Sequence, residues 1–153
     1  MKFGCVFAVK DIRKARAFYE ELFAIRVTED FGRNISFDCG LSLQEDFDWL
    51  VGIDKSEMKR KENNCELYFE TEDLDDFAKR LKDRGDACLL HDVKMMPWLQ
   101  RCMRFYDPDG HLIEVGEPMK PVVERLQAEG LTLSEVAKRM DVTVEDVCRM
   151  LEA

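Results

Sequence analysis

The segment GCVFAVKDIRKARAFYEELFA, beginning at Gly4, is answered by ELYFETEDLDDFAKRLKDRG, beginning at Glu66, so the chain carries one strand-then-helix pattern twice. Each copy closes on an apolar strand after a glycine turn, GLSLQ from Gly40 and GHLIE from Gly110. In that register Gly4 corresponds to Glu66 and Gln44 to Glu114. A repeated supersecondary unit cannot bury its apolar face alone, and a fold made of two such units builds its site from equivalent positions of both. Those four positions are the first place to look for function.

In the first copy residues 3–9 alternate as a strand, Asp11 offers a helix N-cap, and Ile12, Ala15, Phe18, Tyr19 and Leu22 recur at helical spacing. Strands follow at Ile25–Glu29, Ile35–Asp38 and Leu41–Gln44, the last two joined by a turn at Cys39-Gly40. From Glu45 to Asn63 the chain turns polar after Phe47, Trp49, Leu50 and Val51, and reads as a link between the halves that can also line the site. The second copy repeats the order: strand 66–71, Asp73 as cap, helix 74–84 stopped by Gly85, strand 87–91, then strands 101–106 and 112–116 around Asp107-Pro108-Asp109-Gly110. The fold class is α+β. Two β-α-β-β-β modules, residues 1–45 and 64–118 of a domain ending at Pro118, are expected to form an incomplete barrel around a cavity with helices outside.

Residues 119–153 form a helical extension. Val122, Val123 and Leu126 make one helical stripe, and Thr132–Met140 and Thr143–Leu151 read as short helices opened by threonine caps. LTLSEVAKRMDVTVEDVCRML has the outline of a helix-turn-helix, but its second helix sets Glu145 and Asp146 against Arg149 alone, the wrong sign for reading DNA. The tail therefore reads as packing on the domain or on a partner subunit. A net charge of −9 likewise argues against nucleic acid and anionic membranes as partners. With no apolar run long enough for a membrane span and no signal-peptide core, the expected location is the cytoplasm. Six cysteines stand singly without a C-x-x-C pair, most in apolar strand patterns, and read as buried, reduced thiols.

Strand parity sorts the side chains. Phe7, Val9, Leu67, Phe69, Met103, Phe105, Ile113 and Val115 belong to the core, which turns Gly4, Val6, Ala8, Ser42, Gln44, Glu66, Tyr68, Glu70, Cys102, Arg104, Tyr106, Leu112 and Glu114 toward the cavity. Aromatic walls are expected from Tyr68 and Tyr106, with Trp49 and Trp98 as further candidates. His111 should face away from Glu114, and His91 should sit beyond a strand end. Cys5 and Cys102 lack a histidine neighbour or motif that would make either a nucleophile. Met95, Met96, Pro97 and Trp98 form an apolar patch that either packs on the sheet or lids a ligand.

The motifs VKDIRKARAFYEELF, YFETEDLDDFAKRLKDRG, PWLQR and FYDPDGHLIEVGEP resemble the vicinal oxygen chelate superfamily, which includes glyoxalase I, bleomycin-resistance proteins and extradiol dioxygenases. The resemblance implies a histidine at the start of the first strand of one or both modules and glutamates on the last strands when a metal is bound. Here Gly4 and Glu66 hold the first positions and Gln44 and Glu114 the second. Three oxygen donors, Gln44, Glu66 and Glu114, leave room for a weakly bound hard cation, but zinc or iron prefers the missing imidazoles. The competing expectation is an ion pair of Glu66 and Glu114 with Arg104. No cofactor is favoured.

The leading reading is a metal-independent small-molecule binding protein of the bleomycin-resistance kind, sequestering an aromatic or cationic ligand with Gln44, Glu66, Tyr68, Trp98, Arg104, Tyr106 and Glu114. A second is a divalent-metal-dependent lyase or dioxygenase of the glyoxalase type with Glu114 as ligand or general base, against which the absent histidines lean. A third is a structural or regulatory module acting through the helical tail. The resemblance also implies a homodimer.

Overall fold

In the computed structural model, which describes residues 3–153, the first repeat is β1 (Cys5–Val9), α1 (Ile12–Phe23), β2 (Val27–Asp30), β3 (Asn34–Phe37) and β4 (Leu41–Glu45). Asp11 caps α1 by accepting from the backbone N–H groups of Arg13 and Lys14, and Ala24 leaves the helix in a left-handed conformation. That exit uses the residues expected to begin the next strand, so β2 starts at Val27 rather than Ile25. The strands lie in the order β1-β4-β3-β2, with β1 parallel to β4 and the other neighbours antiparallel. α1 packs on β3 and β4, where Ile35, Phe37, Leu41 and Leu43 are buried, and its own buried stripe is Ala15, Phe18, Tyr19 and Leu22.

The stretch expected as a plain link is more structured. It contains a short helix α2 (Phe47–Val51) and a 3-10 turn at Lys55–Glu57 closed by a capping box between Asp54 and Glu57. Nothing in the sequence announces α2, because its N-cap, Asp46, is left-handed and makes no side-chain cap bond.

The second repeat is β5 (Leu67–Glu70), α3 (Leu74–Arg84), β6 (Cys88–Met95), β7 (Arg101–Tyr106) and β8 (Leu112–Gly116), in the order β5-β8-β7-β6. β5 is parallel to β8, the counterpart of the β1–β4 pair. β6 is longer than the expected 87–91, because register shifts between Leu89, His91 and Lys94 let an edge strand continue through polar residues. Two open four-stranded sheets result, neither closed on itself. The chain divides into two compact units, one running to Asn64 and including Asp107–His111, the other Cys65–Tyr106 with Leu112–Ala153.

The tail belongs to the second unit as α4 (Met119–Ala128), α5 (Leu133–Met140) and α6 (Val144–Glu152). Thr132 and Thr143 each close a capping box, with Glu135 and Asp146. Val122, Val123, Leu126, Val136, Ala137, Met140 and Val147 form a separate buried core, onto which Leu99 packs from outside the tail. Val144, at the start of α6, is 42% exposed. Among the described residues no helix is long and apolar enough to cross a membrane.

The cysteines depart from expectation. None of the six forms a disulfide, but only Cys102 is buried, while Cys39, Cys65 and Cys88 are exposed. Cys39 lies in the turn before β4, Cys65 precedes β5, and Cys88 starts a strand with a free edge, so none reaches a packed layer.

Candidate functional site on the polar face of the second sheet

Pairing register builds a transverse row across the second sheet. Tyr68 on β5 stands opposite Glu114 on β8, Glu114 opposite Arg104 on β7, and Arg104 opposite His91 on β6. Residues directly opposite share a face, so these four side chains lie together, away from Met103, Phe105, Ile113 and Val115, which are all buried. Parity thus places Tyr68, Arg104 and Glu114 as expected, and adds His91, which lies within β6 instead of beyond its end.

Arg104 organises the row. Its Nε donates to Glu66 Oε2 at 3.0 Å and its Nη2 meets Glu114 Oε2. Glu114 is 4% exposed, and its Oε2 has no hydrogen-bond partner to supplement the guanidinium. His91 Nδ1 lies 2.9 Å from the Asp92 carbonyl oxygen. With the ring proton on that nitrogen, Nε2 is left to accept from Arg104 Nη1 at 3.4 Å.

A second chain of bonds runs along β5. Tyr68 donates its hydroxyl to Glu70 at 2.8 Å and accepts from Gln100 Nε2 at 2.9 Å, while Gln100 Oε1 accepts from the Trp98 indole at 2.8 Å. Partial burial, with the Glu70 carboxylate adding to it against the Gln100 bond, pushes the Tyr68 hydroxyl up to about 12. Tyr68 is therefore a neutral donor at physiological pH, and 46% of its surface remains exposed. Gln100, 3% exposed, was not anticipated. Its place depends on Gly116, where a Cβ would lie 2.7 Å from Gln100 Nε2. That fit joins residues far apart in sequence, and no local motif signals it.

The remaining candidates have partners within their own unit. Tyr106, opposite Leu112 on the same face, is 6% exposed and offers little wall to a ligand. Trp49 belongs to the first unit, is 65% exposed, and lies under the Arg33 guanidinium at 4.5 Å. Gln44 is also in the first unit, buried opposite Asn34, whose amide donates to Gln44 Oε1 at 2.9 Å, while Gln44 Nε2 donates to the Glu45 carbonyl. Ser36 and Ser42 share a bond of 2.9 Å on that face. Burial pushes the Cys102 thiol up against the pull of Arg104, and burial with nearby Cys39 does the same to Cys5, so neither is poised as a thiolate. His111 Nδ1 is 2.9 Å from Asp107, and its ring meets Phe7 edge-on.

A model of the glyoxalase-like domain matches residues 3–120. The chain belongs to this family. Its two β-α-β-β-β modules are those of the vicinal oxygen chelate superfamily. The chain is 29% identical over 114 residues to metallothiol transferase FosB of Shouchella clausii, covering 71% of this chain and 74% of the transferase. A protein of unknown function from Agrobacterium tumefaciens has a crystal structure similar to this one with a TM-score of 0.65 and 33% identity, over 76% of this chain and 94% of that one. The fosfomycin resistance protein FosX of Mesorhizobium loti shares the fold at a TM-score of 0.57 and 19% identity, over 82% of this chain and 97% of that one.

Within each unit, the positions that the repeat equates offer no uncommitted metal donor. Gly4 supplies no side chain, although a Cβ there would make only an ordinary contact, 3.6 Å from the Gly40 carbonyl oxygen. Gln44 has its amide committed on both sides, and Glu66 and Glu114 already hold a guanidinium that would repel a divalent cation. Among the described residues no group of three or more His, Cys, Asp or Glu side chains could hold a metal ion.

Proposed function

We propose that the protein binds a small cationic, aromatic molecule on the polar face of the second sheet, without needing a metal. One observation carries this reading: Glu66, Glu70 and Glu114 share the face with Arg104 and with Lys94, which stands opposite Cys102, leaving an excess of one carboxylate beside the exposed ring of Tyr68 and the half-buried Trp98. Carboxylates and aromatic faces together favour a cation with a flat apolar body. Tyr68 and Trp98 supply the walls, Glu66 and Glu70 the attraction, and Arg104 holds Glu114 in place.

Thermal shift with a planar cationic dye such as thioflavin T, an anionic aromatic such as anilinonaphthalene sulfonate, and fosfomycin with and without Mn²⁺ tests the reading. A ligand present at about a hundredfold its Kd stabilises by about 2.7 kcal/mol, which raises Tm by roughly 5–10 °C in a chain of this size. The cationic dye should produce that shift, and Tyr68→Ala and Glu66→Gln should each remove most of it. The likeness to a metallothiol transferase, with a fold shared by a fosfomycin resistance protein, supports a second reading, a metal-dependent transferase acting on a fosfomycin-like substrate. A shift only with fosfomycin plus Mn²⁺ would favour it and overturn the first.

We also propose a homodimer in the cytoplasm, formed through a strand edge. β6 is an edge strand with Leu89 and Leu90 exposed by 40% and 52%, a surface that pairing would cover. Light scattering at micromolar concentration should give twice 17.9 kDa; a mass equal to one chain refutes the dimer.

A further inference from the structure

The family match ends at residue 120, so the three-helix tail lies almost wholly outside it. Its attachment points converge on one loop. The turn from β6 to β7, residues 96–100, is closed by the Met96 N–H donating to the Gln100 carbonyl at 2.9 Å and the Leu99 N–H donating to the Met96 carbonyl at 2.9 Å. Leu99 takes a left-handed φ of 68°, which L side chains disfavour and which persists only where the surroundings enforce it. Two contacts with the tail do so: the Leu99 side chain packs on the tail core, and Arg125 Nη2 of α4 donates to the Leu99 carbonyl at 3.1 Å. Arg125 is itself held by Glu117, at 3.3 Å, which also accepts from the Arg101 backbone N–H at 3.1 Å.

The residues flanking Leu99 are Gln100, which donates to the Tyr68 hydroxyl, and Trp98, whose indole donates to Gln100. We infer that the tail is a clamp that holds loop 96–100 so that Gln100 stays bonded to Tyr68 and Trp98 to Gln100, with Leu99 and Arg125 as positioning residues for the ligand face. The inference rests on the site assigned above for its link to ligand binding, but the clamp itself is a property of the unliganded protein. A buried core of its own makes the tail a firm anchor, and a residue forced into the left-handed region makes the loop dependent on that anchor.

The test uses the full chain with Trp49→Phe, which leaves Trp98 as the single tryptophan. Leu99→Ala removes the hook without adding the backbone freedom that a glycine would; Arg125→Ala removes the tie to the Leu99 carbonyl. Arg149→Ala, which loses an exposed partner of Asp146 on α6, is the charge-matched control. Acrylamide quenching of Trp98 should rise about twofold or more in the first two variants and stay at the parent value in the control, with hydrogen exchange at Met96 and Leu99 accelerated in the same two. The affinity for thioflavin T should fall about tenfold in step with the quenching. Unchanged quenching in both loop variants would overturn the clamp, as would a released Trp98 with unchanged dye affinity. If the parent protein binds no dye, the proposed ligand class fails, and quenching and exchange still decide the clamp.

Discussion

Replacing Arg104 by methionine should destabilise the protein by about 3–5 kcal/mol, among the largest effects of any single change outside the apolar core, because it leaves a buried carboxylate without compensation. Glu114 is 4% exposed, and its Oε2 meets only the Arg104 guanidinium. Glu66 loses its partner as well, but its side chain is 36% exposed and water can replace the guanidinium there. The loss should therefore be carried by Glu114. Arg104→Met combined with Glu114→Leu removes the buried charge along with its partner and should recover most of the stability, since a buried ion pair is worth little against an apolar pair of similar volume. Denaturant melts of the two single variants and the double variant form a cycle. A single Arg104→Met variant that loses less than about 1 kcal/mol would mean that water reaches Glu114 and that the face is open to solvent. The same cycle bears on ligand binding: the double variant keeps the fold but has lost Glu114 and the cation that restrains Glu66, so dye affinity should change while most of the stability is kept.

The parts of the molecule that were legible in the sequence are those whose causes are local. Asp11, Asp73, Thr132 and Thr143 all cap the helices they precede, because a side-chain oxygen at an N-cap needs only the next three residues to do its work. Strand alternation placed Arg104, Glu66 and Glu114 together because it depends on a period of two and on one register, which the repeat supplied. What escaped depends on distant partners. His91 entered the row because bulges carried β6 past it, and bulges leave no composition signal in a strand with one free edge. Gln100 is fixed by a glycine two strand positions beyond Glu114, and Trp49 is covered by the Arg33 guanidinium within the first unit. Aromatic residues are poor guides to a cavity for this reason: a ring finds a partner wherever an apolar or cationic surface is nearest.

Asp107→Ala should cost about 3 kcal/mol or more, because one carboxylate serves four donors and hydrogen bonds to a charged group contribute roughly 1.5–3 kcal/mol each. Asp107 Oδ2 accepts from the Tyr19 hydroxyl at 2.8 Å and lies 2.9 Å from His111 Nδ1, while Oδ1 accepts from the backbone N–H groups of Asp109 at 3.0 Å and His111 at 2.8 Å. Within the first unit this bond joins the FYEELF helix to the Asp-Pro-Asp-Gly turn, so the strongest motif of the chain acts as a fold anchor. Tyr19→Phe removes only one donor and should cost less, about 1.5–3 kcal/mol. The pH dependence has a definite sign. Burial alone would raise the Asp107 carboxyl, but the bonds from His111 and Tyr19 outweigh it and hold the group below its ordinary value. A carboxyl depressed in the folded state contributes stability that is fully present above its unfolded value, about 3.9, and is lost as pH falls through the lower folded value. The gap between parent and Asp107→Ala should accordingly stay constant from pH 7 down to about 5 and narrow only below about 4. A gap that widens on acidification would mean that the carboxyl is protonated in the fold and donates to a neighbour, which would reverse the polarity of the whole turn.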